Sequence, residues 1–268
     1  MKICVCGKGG SGKSTVVALM AEAFQRIGKN VLVLDSDESN ANLFWMLGFD
    51  RPPQSLMDLI GGKKHLQQKM IARFKKGENE PAMNIWEMER ITSRAIPSAF
   101  VMEKEGCRLV ATGKIHQALE GCACPMGAVT REFLKKLELA PDEVALVDME
   151  AGIEHFGRGV EASVDWVLCV VEPSLESISL AAKIMDLTRS AGAFFKGAIL
   201  NKIASAGQKS MVADKLNQLG VPIIGTIEHH QDIQSAGLEG RRFDNPGVSA
   251  EMKNIIYRLT KGPLALMI

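Results

Sequence analysis

Residues 7–15 read GKGGSGKST and are the part of the chain whose residue types and spacing indicate a chemistry most directly. The run satisfies the pattern G-x-x-x-x-G-K-[ST], in which glycines let backbone N–H groups approach the oxygens of a polyphosphate. In such a loop Lys13 reaches the β- and γ-phosphates, and the Ser14 hydroxyl coordinates Mg²⁺. We therefore expect a nucleoside triphosphate and Mg²⁺ to bind here, with contacts from Gly9, Gly10, Ser11, Gly12, Lys13, Ser14 and Thr15.

Acidic residues at the ends of two further apolar runs are candidates for the other groups of this chemistry. Asp35 ends the run at residues 30–35 and Asp37 follows it, while Asp148 ends the run at residues 143–148. Phosphoryl transfer needs one group to orient the attacking water and another to hold the magnesium shell. Both groups would lie at the carboxyl ends of strands beside the loop. The alternative for Asp35 or Asp37 is to cap the helix that follows.

Cys122 and Cys124 form a C-x-C pair that can direct two thiolates to one metal ion. Two sulfurs do not complete a tetrahedral or square-planar site, but a twofold dimer supplies four on its axis. Such a site suits Zn²⁺, Ni²⁺ or Cu⁺, and it exists only when the dimer does, so metal and nucleotide binding become linked. The alternative is a pair of ordinary buried thiols, which is our interpretation of Cys4, Cys6 and Cys169.

The elements that must position these residues follow from an alternation of short apolar and longer amphipathic runs, which is typical of a parallel sheet covered by helices. We predict strands over residues 2–6, 30–35, 108–111, 143–148, 166–171, 195–201 and 222–227, and helices over residues 14–27, 40–47, 65–75, 128–137, 174–190, 208–219 and 250–259. The predicted fold is a single α/β domain over residues 1–268, a P-loop NTPase with a parallel or mostly parallel sheet. Residues 61–104, which are polar and broken by prolines, are expected to decorate it as an insertion.

The composition argues against partners that need strong charge or a membrane. The net charge is +1, which gives little for non-specific binding of nucleic acid. The sequence has no run of 18 apolar residues, and it enters the first predicted strand without a signal peptide. Six cysteines in a chain with a P-loop indicate a reducing compartment. We therefore expect a cytoplasmic protein that binds neither nucleic acid nor membrane.

Lys8 narrows the class of nucleotide-binding protein. A lysine directly after the first glycine of the loop resembles the deviant Walker A motif of the MinD/ParA and nitrogenase iron protein superfamily. In that superfamily the extra lysine crosses a dimer interface and contacts the nucleotide of the opposite subunit. The resemblance implies an ATPase that acts as a homodimer, in which Lys8 and Lys13 neutralise charge on the transferred phosphoryl group. The alternative is that Lys8 is a solvated surface lysine.

The same resemblance assigns roles to the acidic segments. Residues 33–38, VLDSDE, are similar to switch I, although Glu38 stands where the family has proline, and Asp37 then places the attacking water. Residues 144–152, VALVDMEAG, are similar to the Walker B and switch II segment. Asp148 then reaches Mg²⁺ through water, and Gly152 offers an N–H to the γ-phosphate. Asn201, at the end of a later strand, takes the place of the family's adenine-binding asparagine.

The cysteine pair adds a closer resemblance. A C-x-C before switch II, the segment DMEAGIEH at residues 148–155 with Arg158 and Gly159 after it, and VEP at residues 171–173 look like the CooC family of nickel-insertion accessory ATPases. That resemblance runs from the P-loop to the end of the chain and is weakest over residues 61–104. It implies a dimer that holds Ni²⁺ or Zn²⁺ through Cys122 and Cys124 and delivers it to apo carbon monoxide dehydrogenase or a related nickel enzyme. His155 is left out of the ligand set, because a lone histidine after a switch is more often structural.

Two other functions fit the same motifs. A MinD/ParA-like spatial regulator would use ATP to switch binding to membrane or nucleoid. However, Gly262 and Pro263 interrupt the apolar C-terminal residues, and few cations lie near them. An iron–sulfur carrier or reductase of the iron-protein type would hold a [4Fe–4S] cluster on the same four thiolates.

Overall fold

The main element of the fold is a sheet of eight strands. The structure is a computed structural model, which describes residues 1–37, 42–62, 65, 66, 68, 86, 88–113, 124–153, 156, 159–242 and 246–260. The strands of this sheet are β1 (Lys2–Gly7), β2 (Asn30–Asp35), β4 (Met102–Lys104), β5 (Cys107–Ala111), β7 (Glu143–Asp148), β8 (Trp166–Val171), β9 (Phe195–Ile203) and β10 (Ile223–Glu228). Their order is β10-β9-β8-β1-β7-β2-β5-β4, and all neighbours pair in parallel except β4 and β5. Two short strands, β3 (Ile91–Thr92) and β6 (Leu137–Glu138), pair separately.

Helices cover both faces of the large sheet. They are α1 (Lys13–Arg26), α2 (Leu43–Met46), α3 (Leu56–Leu59), α4 (Cys124–Lys136), α5 (Leu175–Ser190), α6 (Ala206–Gln218), α7 (Gln231–Glu239) and α8 (Pro246–Thr260). Helices α1, α2, α7 and α8 share one hydrophobic core with the sheet, and α3, α4, α5 and α6 share the other. The described helices include none that is long and apolar enough to span a membrane.

Strand β1 shows why the sheet forms where it does. Its side chains alternate between the two cores: Ile3 and Val5 face one, and Cys4 and Cys6 face the other. All four are fully buried, as expected for a strand in the middle of a parallel sheet that is covered on both sides. The interpretation of Cys4, Cys6 and Cys169 as buried core thiols is thereby confirmed.

The predicted mostly parallel sheet flanked by helices is confirmed, with all seven predicted strands present. Helix α4 begins at Cys124, earlier than the predicted residue 128, while most of the predicted helix at residues 65–75 lies outside the described residues. The segment at residues 61–104 includes β4, an antiparallel edge strand of the main sheet. That the rest of this segment is an insertion stays a prediction, since much of it also lies outside the described residues.

The strand order determines where chemistry can occur. Strands β1, β7 and β2 are neighbours, so their carboxyl ends meet at one edge of the sheet. In the register of β2 and β7, Asp35 lies directly opposite Asp148. The loop after β1 opens at the same edge, which is the usual ligand side of an open α/β sheet.

Candidate nucleotide-binding site

The loop between β1 and α1 has the backbone conformation of a phosphate cradle. Gly10 and Gly12 have φ angles of 78° and 94°, in the left-handed region that favours glycine. A Cβ on Gly12 would lie 2.3 Å from Nδ2 of Asn201, so a larger residue collides there. Helix α1 starts directly after Gly12 without a side-chain cap or a first-turn acid. This leaves the N–H groups and positive dipole end of the helix to an anion.

Side chains of β9 and of the first residue of α1 donate hydrogen bonds to carbonyl groups of the loop. Asn201 Nδ2 donates a hydrogen bond to the carbonyl of Ser11 over 2.8 Å, and Lys202 Nζ donates to the carbonyl of Gly10. Lys13 Nζ donates to the carbonyl of Lys8 over 3.4 Å. Asn201 is therefore packed against the loop it was expected to serve, and its contact with adenine stays a prediction.

Three carboxylates gather beside the cradle. Asp35 and Asp37 are each 5% exposed and Asp148 is fully buried. Burial raises the pKa of Asp148 to about 7, and the charges of Asp35 and Asp37 act in the same direction. The Ser14 hydroxyl and the Lys13 ammonium partly offset this rise. The site thus stores electrostatic repulsion that a cation would relieve.

Mg²⁺ fits this group of residues. Among the described residues, neither oxygen of Asp148 accepts a hydrogen bond of normal geometry, although the Ser14 hydroxyl is near enough to lower its pKa. No described group of three histidine, cysteine or acidic residues could hold a metal unaided. Mg²⁺ commonly binds through one or two protein oxygens together with substrate phosphates and water. Ser14 and Asp148 are the residues that would hold it, next to the phosphate cradle.

The two switch segments contact β1 and each other through backbone hydrogen bonds. The N–H of Gly152 donates to the carbonyl of Gly7 over 3.1 Å, which places the predicted switch II glycine beside the first glycine of the loop. The N–H of Ser36 donates to the carbonyl of Asp148 over 3.0 Å. The candidate residues on three separate strands are thereby brought to one place.

A buried group of hydroxyls ties this edge of the sheet to helix α4. Thr130 Oγ1 lies 2.9 Å from Ser36 Oγ and 2.9 Å from Thr112 Oγ1, within hydrogen-bonding distance of both. Thr130 and Thr112 are fully buried and Ser36 is nearly so. This contact could not be predicted from the sequence, because isolated serine and threonine residues form no distinctive pattern.

Lys8 forms ion pairs within its own chain. Its Nζ lies 3.1 Å from Oε1 of Glu172 and 3.3 Å from Oε2 of Glu176, and Glu172 also pairs with Lys202 at 3.3 Å. The hydrogen bonds that Lys8 donates to Glu172 and Glu176 raise the pKa of Lys8. Partial burial acts to raise the pKa of Glu172, but the hydrogen bonds from Lys8 and Lys202 outweigh it and lower that pKa. The Lys8 side chain is thus held in ion pairs rather than freely solvated. Its contact with the nucleotide of a second subunit stays a prediction.

The cysteine pair lies at the border of the described residues. Cys124 is the first residue of α4, whereas Cys122 and His155 lie outside the described part of the chain. Four other cysteines, Cys4, Cys6, Cys107 and Cys169, are buried and are not joined in disulfides. Metal binding by Cys122 and Cys124 therefore stays a prediction.

Comparisons with known proteins find relatives that bind nucleotides. Residues 3–243 match the family model for the CobQ/CobB/MinD/ParA nucleotide-binding domain. The chain is 40% identical to an uncharacterized ATP-binding protein of Methanocaldococcus jannaschii, over 97% of this chain and 100% of the relative. It is 35% identical to the carbon monoxide dehydrogenase accessory protein CooC of Rhodospirillum rubrum, over 90% of this chain and 88% of that protein.

Solved structures show the same fold. The septum site-determining protein MinD of Pyrococcus horikoshii, complexed with Mg-ADP, aligns with a TM-score of 0.69 at 19% identity and covers 97% of this chain and 96% of its own. The cell division protein MinD of Aquifex aeolicus aligns with a TM-score of 0.66 at 23% identity, over 100% of this chain and 99% of its own.

Proposed function

Since this chain belongs to the CobQ/CobB/MinD/ParA nucleotide-binding family and is a P-loop ATPase, we propose that it is a dimeric metallochaperone. In this proposal the chain binds Ni²⁺ or Zn²⁺ through Cys122 and Cys124 at a dimer interface. It then helps insert nickel into an apo carbon monoxide dehydrogenase, or a related nickel enzyme, in the cytoplasm. The observation that carries the proposal is the 35% identity to CooC across nearly the whole of both chains.

The hydrolytic part of the proposal assigns a task to each residue at the nucleotide site. The glycines of the loop and the start of α1 bind the phosphates, and Lys13 neutralises charge on the transferred group. Asp37 orients the attacking water, and Lys8 reaches the nucleotide of the opposite subunit. Ser14, and Asp148 through water, would hold Mg²⁺, which would supply positive charge against the negative charge of the phosphates. Gly152 senses the γ-phosphate through its N–H once that N–H has left the carbonyl of Gly7, and Asn201 recognises the adenine.

The metal-binding part of the proposal depends on the twofold symmetry of a dimer. One C-x-C pair offers two thiolates, and two chains related by a twofold axis offer four, which completes a tetrahedral or square-planar site. Nickel or zinc here is cargo, held while the dimer is closed and released to the client enzyme.

The test is metal binding by a pair of matched variants. The double variant Cys122→Ser/Cys124→Ser should lose Ni²⁺ and Zn²⁺ binding in equilibrium dialysis while it keeps ATP binding. Lys13→Ala is the matched control: it should lose ATP binding and, since both cysteines are unchanged, keep Ni²⁺ and Zn²⁺ binding. Full metal binding by the double serine variant would contradict the proposal.

The other functions predict different results in the same preparations. Protein purified without oxygen that carries about four irons per dimer would favour an iron–sulfur carrier over a nickel chaperone. ATP-dependent sedimentation with liposomes that survives both cysteine substitutions would favour a spatial regulator of the MinD kind. A colourless protein that stays in the supernatant and binds Ni²⁺ through its cysteines supports the metallochaperone.

A further inference from the structure

The hydroxyl group of Thr130 connects three elements of the site at one buried point. Ser36 follows β2, Thr112 follows β5, and Thr130 lies in α4. Both contacts with Thr130 are 2.9 Å, between residues that are 94 and 18 positions apart in the chain. Since these hydroxyls are buried, a movement that separates them leaves polar groups without partners in an apolar surrounding, which is costly.

Ser36 stands between the two acidic residues of the switch I loop. Asp35 precedes it and Asp37, the residue proposed to orient the attacking water, follows it. The backbone of the same segment is bonded on both sides, from Ser36 N to the carbonyl of Asp148 and from Thr112 N to the carbonyl of Asp35. The Thr130 hydroxyl adds a side-chain contact between this loop and a helix.

The first residue of that helix is Cys124, the second cysteine of the C-x-C motif. Helix α4 runs from Cys124 to Lys136, so Thr130 lies six residues after its first residue, or about 9 Å along the helix axis. A helix moves as a rigid element over this distance. A shift of switch I when ATP binds is therefore transmitted to the backbone of Cys124 as long as the Ser36–Thr130 hydrogen bond holds.

We propose that Thr130 is a positioning residue that holds the switch I loop and, through α4, couples ATP binding to metal binding at the cysteine pair. The second half of this inference rests on the proposed metallochaperone function, because it needs the cysteine pair to bind metal. The first half concerns hydrolysis alone, since Asp37 depends on the position of Ser36.

The test uses Thr130→Val, which removes the hydroxyl at nearly constant volume, with Thr188→Val as its matched control. Thr188 is equally buried, but its hydroxyl donates to Ile184 of its own helix over 2.7 Å, away from the nucleotide site. Each variant is assayed for kcat and KM of ATP hydrolysis. The dissociation constant for Zn²⁺ is measured with ADP and with a non-hydrolysable ATP analogue.

We expect the analogue to change the Zn²⁺ dissociation constant of the unaltered protein by about tenfold, a typical coupling between two sites. Thr130→Val should bring that ratio close to one and lower kcat by about tenfold with KM within a factor of two. Thr188→Val should keep the tenfold ratio of Zn²⁺ dissociation constants and the kcat of the unaltered protein. Thr130→Ser, which retains the hydroxyl, should keep them too. Ser36→Ala breaks the same bond from the other side, so it should reproduce Thr130→Val, and the double variant should add nothing further.

The outcomes separate the two proposals. If the unaltered protein binds no Zn²⁺, the metallochaperone function fails, and the kcat comparison still tests whether Thr130 positions switch I. If Zn²⁺ binds and responds to nucleotide but Thr130→Val keeps both the response and kcat, the role of Thr130 is refuted. Equal losses in Thr130→Val and Thr188→Val would also refute it, because they would indicate general destabilisation. Should Thr130→Val fail to fold, Ser36→Ala and Thr130→Ser decide the question.

Discussion

At the scale of single residues, Asp148 shows how a residue of the candidate nucleotide-binding site can oppose folding. Its carboxyl is fully buried opposite Asp35, and burial raises its pKa from 3.8 to about 7. In the unfolded chain the group ionises near its ordinary value. Between these two pKa values the unfolded chain has released a proton that the folded protein keeps. The contribution of this group to stability is therefore greatest at acid pH and is lost as the pH rises toward 7.

We predict that Asp148→Asn stabilises the protein free of Mg²⁺ and nucleotide while it abolishes hydrolysis. The difference of about three pKa units corresponds to at most about 4 kcal/mol in the free energy of unfolding above pH 7. Thermal unfolding of both proteins between pH 5 and 8 measures the effect. The gain in Tm should be largest at pH 8 and should shrink on acidification. The exposed Asp214→Asn is the control, and a gain that does not depend on pH would contradict the prediction.

At the scale of elements, the junction of β1 and α1 depends on glycine for two separable reasons. Gly10 and Gly12 both have left-handed φ angles, so alanine is strained at either position. Only at Gly12 does an added Cβ also collide, because Asn201 Nδ2 would lie 2.3 Å away, whereas nothing lies within 4 Å at Gly10. The pair therefore distinguishes backbone strain from a steric collision.

We predict that Gly12→Ala lowers the free energy of unfolding by about 2 kcal/mol more than Gly10→Ala, because overpacking adds to backbone strain. Urea denaturation of the two variants provides the comparison. Shortening the colliding side chain in Gly12→Ala/Asn201→Ala should recover part of the loss. If both single variants are equally destabilised, contact with Asn201 is not what restricts position 12.

The same elements show what could be predicted from the sequence. The central strands were predictable because strands covered on both faces are continuous apolar runs, and residues 7–15 form a local motif. Strand β4 and helix α7 escaped prediction: β4 is an exposed edge strand, and α7 buries only Ala236, so neither has an apolar pattern. The contacts of Lys202 with Gly10 and of Ser36 with Thr130 join residues far apart in the chain. A local sequence pattern cannot predict contacts between residues so far apart.

At the scale of the whole molecule, the ion pairs of Lys8 affect how two chains would form the proposed dimer. In the single chain its ammonium group is paired with Glu172 and Glu176. A lysine that reaches the nucleotide of a second subunit must first leave these carboxylates. In the proposed dimer the two glutamates would therefore compete with the nucleotide of the second subunit for Lys8, although each partly exposed pair contributes little.

We predict that Glu172→Gln strengthens ATP-dependent dimerisation by about three- to tenfold, since each chain then releases Lys8 more easily. Sedimentation velocity with a non-hydrolysable ATP analogue measures the dimer dissociation constant. Glu22→Gln, which breaks the surface ion pair with Arg26, is the matched control and should leave it unchanged. A weaker dimer in Glu172→Gln would mean that Glu172 itself contacts the partner chain.

The buried thiols have a practical consequence for following the protein in solution. Cys4, Cys6, Cys107 and Cys169 are buried, and burial raises the pKa of Cys107 to about 12. Thiols of this kind react slowly with alkylating reagents, because the thiolate is the reactive form and the reagent cannot reach it. Of the six cysteines in the sequence, these four should stay silent in the native protein. Any rapid alkylation then reports on Cys122 and Cys124 alone, so their protection by metal or nucleotide can be timed without removing a single native cysteine.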